Sequence, residues 1–537
     1  MSPARRTIPA GTPLGDAFHL YDTTLRDGAQ AEGVTYSVPD KLAVARLLDE
    51  LGVGFIEGGW PGAMPKDTEF FARAATELSL QHAVLVAFGA TRKPGIAAGA
   101  DRQVRALLDS AAPVITLVAK SDRRHVERAL RTDAAENRAM VADTVALLVA
   151  EGRRVFVDLE HFFDGFAHHP EHGLGVVQAA VQAGADVAVL CDTNGGMLPL
   201  QIAEVVEAVA VSTGARLGIH CQDDTACAVA NSVSAVQAGA THVQCTANGY
   251  GERTGNADLF AVVGNLATKL NMPVLPAGNL ADLVRVSHAL AEIANAAPEP
   301  RQAYVGSSAF AHKAGLHASA IKVDPGLYNH LDPAVVGNDM RVLVTEMAGR
   351  ASVELKGREL GVDLSGHDEA VSRVVDRVKD LESRGWSFEA ADASFELLLR
   401  RETHGHTDAP FTLESYRVIL EHRADGHTMA EATVRGQVVG ERVIATAEGN
   451  GPVNALDAAL RKALRPHYGW VDEVELADYK VRILDGQQGT DAVTRVLIES
   501  ADGPRRWTTV GVDDNVVEAS WLALVDAMAF AALRARA

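Results

Sequence analysis

Eight short β-branched runs alternate with longer amphipathic stretches between residues 18 and 270, and no other feature of the chain restricts its fold as strongly. Helical periodicity marks the intervening stretches, which include Pro39–Leu51, Ala134–Val149, Leu198–Val211 and Ala226–Ala238. Eight strand–helix units in this length are typical of an α/β fold of the (β/α)8 TIM barrel type. A doubly wound open sheet is the alternative. The predicted strands are Phe18–Tyr21, Val53–Glu57, Ala83–Phe88, Val114–Val118, Val155–Leu159, Val187–Cys191, Leu217–His220 and His242–Thr246.

Polar residues stand where seven of these eight strands would end. Arg26 and Asp27 follow the first strand, Glu160 follows the fifth, and His220 ends the seventh. The carboxyl ends of barrel strands converge on one mouth, and barrel enzymes keep their chemistry there. A protein without a site would scatter such residues over both ends of its strands. The pattern therefore predicts an active site at the mouth.

Asp27 and His220 predict a divalent metal site at this mouth. Gln222 lies two residues after His220, so the alternation of a strand places both side chains on one face. Carboxylate, imidazole and amide groups form a mixed oxygen and nitrogen ligand set that leaves positions open for substrate and water. The alternative for His220 is a hydrogen-bonded structural histidine. Asn256 either adds an oxygen ligand or caps the helix that follows it.

Glu160 would point into the same mouth, where burial beside a metal fits a carboxylate for proton transfer or substrate orientation. Its alternative role is an ion pair with Arg26 behind the site. Arg26 and Asp27, taken alone, are also compatible with an ion pair that only closes a strand–loop junction.

The length of 537 residues exceeds what one core supports and predicts two or three domains. We place a catalytic barrel at 1–272, linker and lid subdomains at 273–409, and a further domain at 410–537. Within the middle part, Leu280–Ala297 and Asp368–Ser383 have helical periodicity. The histidine-rich run from Ser307 to His317 lies between these helices and has the composition of a lid.

The last part of the chain contains a weak internal duplication. Small and polar capping residues at Gly449-Asn450-Gly451-Pro452 and Asp513-Asp514-Asn515 precede two predicted helices. Because this duplicated βββα unit has no clustered catalytic residues, we expect it to bind a partner or an effector. The three strands predicted before each helix are Thr412–Glu421, Ala430–Val438 and Arg442–Ala447, then Tyr479–Leu484, Ala492–Glu499 and Arg506–Val512.

Composition limits the partners and the compartment. A formal charge of −20 and a pI near 5.4 argue against nucleic acid or an anionic membrane surface as the main partner. Cys191, Cys221, Cys227 and Cys245 form no CxxC pair, which favours a reducing cytoplasm. The sequence shows no window of 18 apolar residues and no apolar segment near Met1, so we expect neither a membrane span nor a secretion signal.

Several runs resemble the family of 2-isopropylmalate, homocitrate and citramalate synthases, and the resemblance covers nearly the whole chain. Three of the runs, Glu57-Gly58-Gly59-Trp60-Pro61-Gly62, Glu160-His161-Phe162-Phe163-Asp164-Gly165 and Val335-Val336-Gly337-Asn338, are similar to the citramalate synthase branch. The other runs are Asp22-Thr23-Thr24-Leu25-Arg26-Asp27-Gly28-Ala29-Gln30, Asn248-Gly249-Tyr250-Gly251-Glu252-Arg253 and His312-Lys313-Ala314-Gly315-Leu316-His317.

The resemblance implies a metal-dependent acyltransferase that condenses acetyl-CoA with a 2-oxo acid and then hydrolyses the thioester. For the citramalate branch the acid is pyruvate, and (R)-citramalate enters isoleucine biosynthesis. The resemblance also implies Mg, Mn or Zn as the ion and a homodimer. It further implies a regulatory domain at 410–537 that responds to isoleucine.

The resemblance assigns roles to individual residues. Asp27 and His220 match metal ligands, Glu160 matches a residue that contacts the oxo acid, and Thr193 matches one that holds its carboxylate. Arg26 is suited to stabilise the developing alkoxide.

Two further residues lie after the barrel. His317 matches a histidine that takes part in acetyl-CoA activation and reaches across a dimer interface. Tyr328 is assigned to the same region. A base near the acetyl methyl group is chemically reasonable, and a residue that only docks the lid is the alternative.

The strand-seven motif departs from the family pattern. Family members carry His-x-His-Asn-Asp, whereas this chain has His220-Cys221-Gln222-Asp223-Asp224. An amide oxygen binds Mg²⁺ or Mn²⁺ but is a poorer ligand than imidazole for zinc-like ions. We therefore predict weakened metal affinity, with the ion held mainly by Asp27 and His220. The alternatives are a synthase for another 2-oxo acid, a lyase acting on related compounds, and a non-catalytic homologue with a decayed site.

Overall fold

Eight parallel strands pair in sequence order and close into a barrel in this computed structural model, which describes residues 15–405, 409–484, 489 and 492–535. Strand β8 pairs with β1, with His242 opposite His19 and Cys245 opposite Asp22. The predicted (β/α)8 barrel is therefore confirmed, and the open sheet is wrong. The strands are β1 His19–Asp22, β2 Phe55–Glu57, β3 Val84–Ala90, β4 Val114–Lys120, β5 Arg154–Glu160, β6 Val187–Asp192, β7 Leu217–Cys221 and β8 His242–Cys245.

Helices connect the barrel strands. The ends of α1 show how local sequence sets them: Ser37 and Asp40 form a capping box, and Gly52 ends the helix at a φ of 95°. The helices are α1 Val38–Leu51, α2 Pro65–Glu77, α3 Arg102–Asp109, α4 Arg123–His125, α5 Ala134–Ala150, α6 Phe162–His168, α7 Pro170–Gln182, α8 Pro199–Thr213, α9 Ala228–Gln237 and α10 Leu259–Lys269.

Alternating strand residues form two apolar cores. Tyr21, Phe55 and Phe156 belong to a small cluster to which six of the strands contribute, so this cluster fills the barrel interior. Their sequence neighbours, such as Leu20 and Ile56, belong to a larger cluster that includes the helices. Side chains thus fill the barrel interior, and the polar residues at the carboxyl ends of the strands lie at the mouth.

The chain divides into two compact units. The first runs to Phe310 and also includes Leu331–Asp339, and the second contains Ala311–His330 and everything from Met340 onward. The three-part division at 272 and 409 remains our proposal. The elements between the barrel and the last part are α11 Leu283–Ile293, β9 Ala311–His312, α12 Gly315–Val323, β10 Arg341–Val342, α13 Arg350–Glu359, α14 Asp368–Ser383 and α15 Asp392–His404.

The last part of the chain has the predicted duplication of a βββα unit. Each half is a three-stranded antiparallel sheet followed by one helix. One face of each sheet is apolar, as the buried side chains Ala430, Ala432 and Val434 show for the first. The elements are β11 Thr412–His422, β12 Thr428–Val438, β13 Glu441–Gly449, α16 Pro452–Leu464, β14 Glu475–Ile483, β15 Thr494–Asp502, β16 Arg505–Asp513 and α17 Val516–Ala535.

Helix α17 is the one helix in the described ranges that is long and apolar enough to cross a bilayer by length and composition. Within the structure, 61% of its most apolar window is buried. Trp521, Leu524 and Met528 of α17 belong to the C-terminal core, as expected for a core helix that is apolar on most of its surface. Residues 1–14, for which we expect no secretion signal, lie outside the described residues.

Candidate active site

Arg26 is fixed in the turn that follows β1. Its Nη1 lies 3.0 Å from Asp27 Oδ1, and its Nε donates to Glu57 Oε2 at 2.6 Å. The guanidinium also lies 3.9 Å above the ring of Phe88. Two carboxylates and one aromatic face therefore hold the guanidinium plane in a single orientation.

Glu57 anchors this arrangement from strand β2. Its side chain is fully buried and accepts hydrogen bonds from Tyr21 Oη at 2.5 Å, Thr23 Oγ1 at 2.5 Å and Arg26 Nε at 2.6 Å. Burial of a carboxylate is tolerated when its oxygens are hydrogen-bonded in this way. The alternative that Glu160 pairs with Arg26 is wrong, because Glu57 occupies that role.

Asp27 and His220 meet at the mouth, with Asp27 Oδ2 3.2 Å from His220 Nε2. Both side chains are buried. Burial raises the pKa of Asp27, but the Arg26 guanidinium together with His220 and Asn256 outweighs burial and holds that pKa well below its usual range. Burial lowers the pKa of His220, but the bond to Asp27 together with the charges of Asp27 and Asp158 outweighs burial and leaves the pKa raised. The pair therefore favours a negative carboxylate beside a positive charge.

Gln222 and Asn256 lie beside this pair. They face each other in an isolated backbone bridge, and Asn256 hydrogen-bonds Asp27 through its side chain. Both side chains are buried, and neither Gln222 Oε1 nor Asn256 Oδ1 has a hydrogen-bond partner within the described part of the chain. Asp258, rather than Asn256, caps helix α10 by accepting from Phe260 N at 3.1 Å, so the capping alternative is wrong.

These four side chains fit a divalent ion. A buried carbonyl oxygen without a donor is costly and rare, and two of them beside an anionic carboxylate are explained by a cation. One carboxylate, one imidazole and two amide oxygens form a ligand set suited to a hard or borderline ion. Among described residues no group of three or more His, Cys, Asp or Glu side chains is placed to hold a metal, so the amides are essential to the candidate site.

Gln244 on β8 sets the orientation of the His220 ring. Gln244 Nε2 donates to Asp158 Oδ1 at 2.8 Å, which leaves Gln244 Oε1 to face His220 Nδ1 at 2.8 Å. An oxygen at this position accepts a hydrogen bond from Nδ1–H, so Nδ1 is the nitrogen that keeps its proton. Nε2, which faces Asp27, therefore carries the lone pair of the neutral ring or the exchangeable proton of the charged ring. Burial raises the pKa of Asp158 to about 7, helped by the charge of Glu57.

Glu160 ends strand β5, and Thr193 directly follows the neighbouring strand β6. Glu160 forms an ion pair with Lys120 of β4. Thr193 Oγ1 accepts the backbone N–H of His161 at 2.8 Å, and its own hydroxyl hydrogen is left to donate to a ligand. No hydrogen bond between described residues joins Glu160 or Thr193 to Asp27 or His220. The two lie at the mouth but outside the cluster around Asp27.

His317 and Tyr328 belong to the second compact unit. Their rings stack with centroids 4.1 Å apart and an interplanar angle of 29°. The structure therefore brings these two predicted residues together. Their action on a substrate held by the barrel residues stays a prediction.

Three protein-family models match this chain, and the residues that each one matches correspond to a separate part of the fold. An HMGL-like model covers residues 17–290, which is the barrel and the helix after it. A model described as homocitrate synthase post-HMGL domain-like covers residues 304–385. A model described as the LeuA allosteric (dimerisation) domain covers residues 389–532, and thus the duplicated sheets.

Full-length relatives decide the family. The (R)-citramalate synthase of Streptomyces coelicolor is 63% identical over 98% of this chain and 99% of its own length. The chain belongs to the citramalate synthase family. The (R)-citramalate synthase of Synechocystis is 47% identical over 95% of both chains, whereas the 2-isopropylmalate synthase of Methanocaldococcus jannaschii is 28% identical over 96% of this chain and 94% of its own.

Three residues of the site were missed by sequence reasoning: Glu57, Asp158 and Gln244. Glu57 and Asp158 belong to the polar groups at the strand ends, so the signal for their position was present. Gln244 gave a weaker signal, as a polar residue inside the short buried strand β8. For this citramalate synthase family member, the contacts of the candidate metal ligands thus extend to Asp158 and Gln244, which lie outside the motifs that carried the resemblance.

Proposed function

We propose that this protein condenses acetyl-CoA with pyruvate and water to give (R)-citramalate and CoA. Relatives with that printed name, 63% and 47% identical over almost the whole chain, support the assignment. The observation that carries the chemistry is the cluster of Asp27 and His220 with the two unpartnered amide oxygens of Gln222 and Asn256. A 2-oxo acid is a bidentate oxygen ligand, which suits an ion with positions left open.

We assign Asp27, His220, Gln222 and Asn256 as the residues that hold the ion. A divalent ion bound there supplies Lewis-acid polarisation of the 2-oxo group. The neutral amides leave the ligand set with a single negative charge. This composition is compatible with Mg or Mn and less favourable for Zn.

Arg26 and Thr193 act on pyruvate in the proposed mechanism. Arg26 carries a fixed positive charge, and it stabilises the alkoxide that forms when the acetyl carbon attacks the keto carbon. Thr193 donates its free hydroxyl hydrogen to the pyruvate carboxylate. Glu160, held by Lys120, contacts the oxo acid and orients it.

His317 prepares the acetyl group in the proposed mechanism. It removes a proton from the acetyl methyl, and the resulting carbanion forms the new carbon–carbon bond to pyruvate. The alkoxide takes up a proton, and water then cleaves the thioester to release CoA. Tyr328 stacks on the His317 ring at 4.1 Å and limits its rotation.

A thiol-release assay tests this function. We expect CoA release from acetyl-CoA with pyruvate, dependent on added divalent ion, and much slower release with 2-oxoisovalerate or 2-oxoglutarate. Preference for a larger oxo acid would instead support a 2-isopropylmalate or homocitrate synthase. Absence of turnover with every acid, in protein that binds a divalent ion, would contradict the assignment.

Regulation, assembly and location complete the proposal. We infer a cytoplasmic homodimer in the isoleucine pathway, with isoleucine as an effector of region 410–537. The family model for this region is described as allosteric and as a dimerisation domain, which supports both roles. Val510 and Val512 of this region belong to the same apolar core as α14 and α15. Truncation of the region would disrupt this core, so point variants test regulation more specifically than truncation does.

The Gln222→His variant should bind metal more tightly. Imidazole is a stronger ligand than an amide oxygen for borderline ions, and we expect roughly a tenfold gain in Zn²⁺ affinity and a smaller gain for Mg²⁺. Calorimetric titration of chelator-treated protein measures this. Gln237→His, at an exposed position of α9, is the control and should change nothing. No ion binding by wild type, together with no gain in Gln222→His, would refute the ligand assignment.

The Gln244→Met variant should weaken Mn²⁺ binding about 10- to 100-fold, the usual effect of losing the hydrogen bond that orients a ligating histidine. Methionine keeps the length of the side chain but offers His220 Nδ1 no strong acceptor. The measurement is Mn²⁺ titration followed by electron paramagnetic resonance. Thr116→Val removes another buried bond of the barrel, to Tyr21 at 2.8 Å, and should leave Mn²⁺ affinity unchanged. Equal affinities in all three proteins would contradict the role of Gln244.

A further inference from the structure

Three neighbouring loops at the mouth of the barrel carry three of the candidate site residues. Thr193 belongs to the first loop, Gln222 to the second and Asn256 to the third. Since these residues lie beyond the strands, contacts between the loops contribute to their relative positions. The loops are residues 193–198 between β6 and α8, 222–227 between β7 and α9, and 246–258 between β8 and α10.

One side chain, that of Arg253, connects all three loops. Arg253 belongs to the loop after β8, and its Nε and Nη2 donate to the two carboxylate oxygens of Asp224 at 2.7 and 2.8 Å. The same Nη2 donates to the backbone carbonyl oxygen of Thr193 at 2.8 Å. Two parallel bonds to one carboxylate fix the plane of a guanidinium group. Arg253 therefore holds the loops after β6 and β7 against its own loop.

The loop after β7 is closely packed against both neighbouring loops. A Cβ atom at Gly195 would lie 2.5 Å from Asp224 Oδ2, so the loop after β6 leaves no space beside this carboxylate. Thr225 Oγ1 also donates to Gly195 O at 2.8 Å. On the other side, Asp223 N donates to Gly255 O at 2.9 Å. A shift of Asp224 would therefore disturb the loop that contains Gln222 and both of its neighbours.

The backbone and the charges of this contact are also unusual. Arg253 has a φ of 57°, in the left-handed region that residues other than glycine rarely adopt. Such conformations persist where surrounding contacts determine them. The bonds from Arg253 lower the pKa of Asp224, so this carboxylate stays ionised at neutral pH and the contact is an ion pair. The mechanism proposed above gives neither residue a role.

We propose that Arg253 is a positioning residue for the condensation. By connecting the loops, it keeps the amide oxygens of Gln222 and Asn256 at the metal site. It also keeps Thr193 oriented toward the oxo acid. This inference rests on the proposed function, because Arg253 acts only through residues of that site. The alternative is direct contact with a phosphate group of acetyl-CoA, since the side chain of Arg253 is 43% exposed.

Hydrogen–deuterium exchange of the chelator-treated full-length protein tests the loop contact without metal or substrate. In Arg253→Gln we expect the backbone N–H groups of residues 222–227 to exchange about tenfold faster, because local opening no longer breaks a charged, bidentate bond. Arg285→Gln is the control: Arg285 is 52% exposed and pairs with Asp282 at 2.8 Å, and its loss should leave exchange in this loop unchanged. Wild-type exchange of the loop in Arg253→Gln would overturn the proposal.

Titration of the same proteins with Mn²⁺ gives a result whose sign is decisive. The charge of Arg253 acts on Asp27 through space, so deleting that charge would by itself strengthen the binding of a cation. Displaced ligands have the opposite effect, and we expect Arg253→Gln to bind Mn²⁺ about tenfold more weakly, as when other outer contacts of metal ligands are lost. Unchanged or tighter binding would contradict the positioning role.

Steady-state kinetics separate positioning from contact with CoA. Arg253→Gln and Asp224→Ala remove the same bonds from either side, and each should raise the KM for pyruvate about tenfold and leave the KM for acetyl-CoA near wild type. The double variant should resemble the single variants, because all three proteins lose one contact. A rise in the KM for acetyl-CoA alone would overturn the proposal in favour of the phosphate contact.

Two further outcomes are also decided by these measurements. If Arg253→Gln proves unstable, loop exchange, Mn²⁺ affinity and the KM for pyruvate in Asp224→Ala decide the question by the same criteria. If wild type does not use pyruvate, the proposed function fails, whereas loop exchange and Mn²⁺ affinity still decide whether Arg253 positions the loops.

Discussion

Replacing Asp27 by asparagine should reduce kcat/KM for condensation by about 10³-fold or more. The substitution keeps the shape of the side chain but removes the negative charge that lies between Arg26 and His220. Lewis-acid assistance by a metal is worth several kcal/mol, and each 1.4 kcal/mol corresponds to about a tenfold change in rate. Loss of the ion should therefore remove most of the catalysis. Thiol release at saturating acetyl-CoA, with pyruvate varied, measures the effect.

A matched control for Asp27→Asn exists at the opposite end of the barrel. Asp186 lies just before β6, at the amino ends of the strands, and pairs with Arg154. Asp186→Asn also deletes one charge of an ion pair, here a half-buried one, so it should lower the melting temperature slightly and leave kcat/KM close to wild type. Near-wild-type turnover by Asp27→Asn would show that the reaction does not require a metal ion bound to this carboxylate.

Replacing Arg26 by lysine should lower kcat by about 10²- to 10³-fold, although the positive charge is kept. An ammonium group lacks the rigid fork with which the guanidinium bonds Asp27 and Glu57 in one fixed plane, and it has no plane to stack on Phe88. Loss of one oriented donor to a developing oxyanion typically costs this much. Because the interaction forms with the alkoxide, we expect kcat to fall more than the KM for pyruvate rises.

Arg154→Lys provides the comparison for Arg26→Lys. Arg154 begins β5 at the other end of the barrel, pairs with Asp186 and Asp16, and lies over the rings of Phe55 and Phe156. It thus has the same kinds of contact as Arg26 without the position at the mouth. Arg154→Lys should lose stability but keep kcat. A rise in KM alone for Arg26→Lys would indicate that this arginine only binds the substrate.

The barrel fold could be predicted from the sequence because strand alternation and helical periodicity are local properties. The pairing of Asp27 with His220 followed as well, since barrel closure brings all carboxyl strand ends to one mouth. Sequence periodicity does not show which side chains of neighbouring strands contact each other. Glu57 reaches Arg26 because β2 pairs with β1, whereas Glu160 stands on β5.

The role of Gln244 depends on the same kind of neighbour contact. β8 pairs with β7, and Gln244 stands in register with His220. The pair is invisible until the strand order is known, because the two residues are 24 positions apart. The bond from Gln244 to Asp158 then crosses the barrel interior from β8 to β5. Such contacts depend on packing inside the barrel rather than on any sequence pattern.

The proposed mechanism depends on one divalent ion that binds between Asp27 and His220 and holds the oxo acid. Anomalous diffraction from crystals grown with Mn²⁺ and pyruvate tests it most directly. We expect one strong peak at roughly 2.0–2.3 Å from Asp27 Oδ2 and His220 Nε2, with pyruvate oxygens completing its coordination. A peak elsewhere in the molecule, or pyruvate bound at the mouth of a fully active enzyme with no ion beside these two residues, would contradict it.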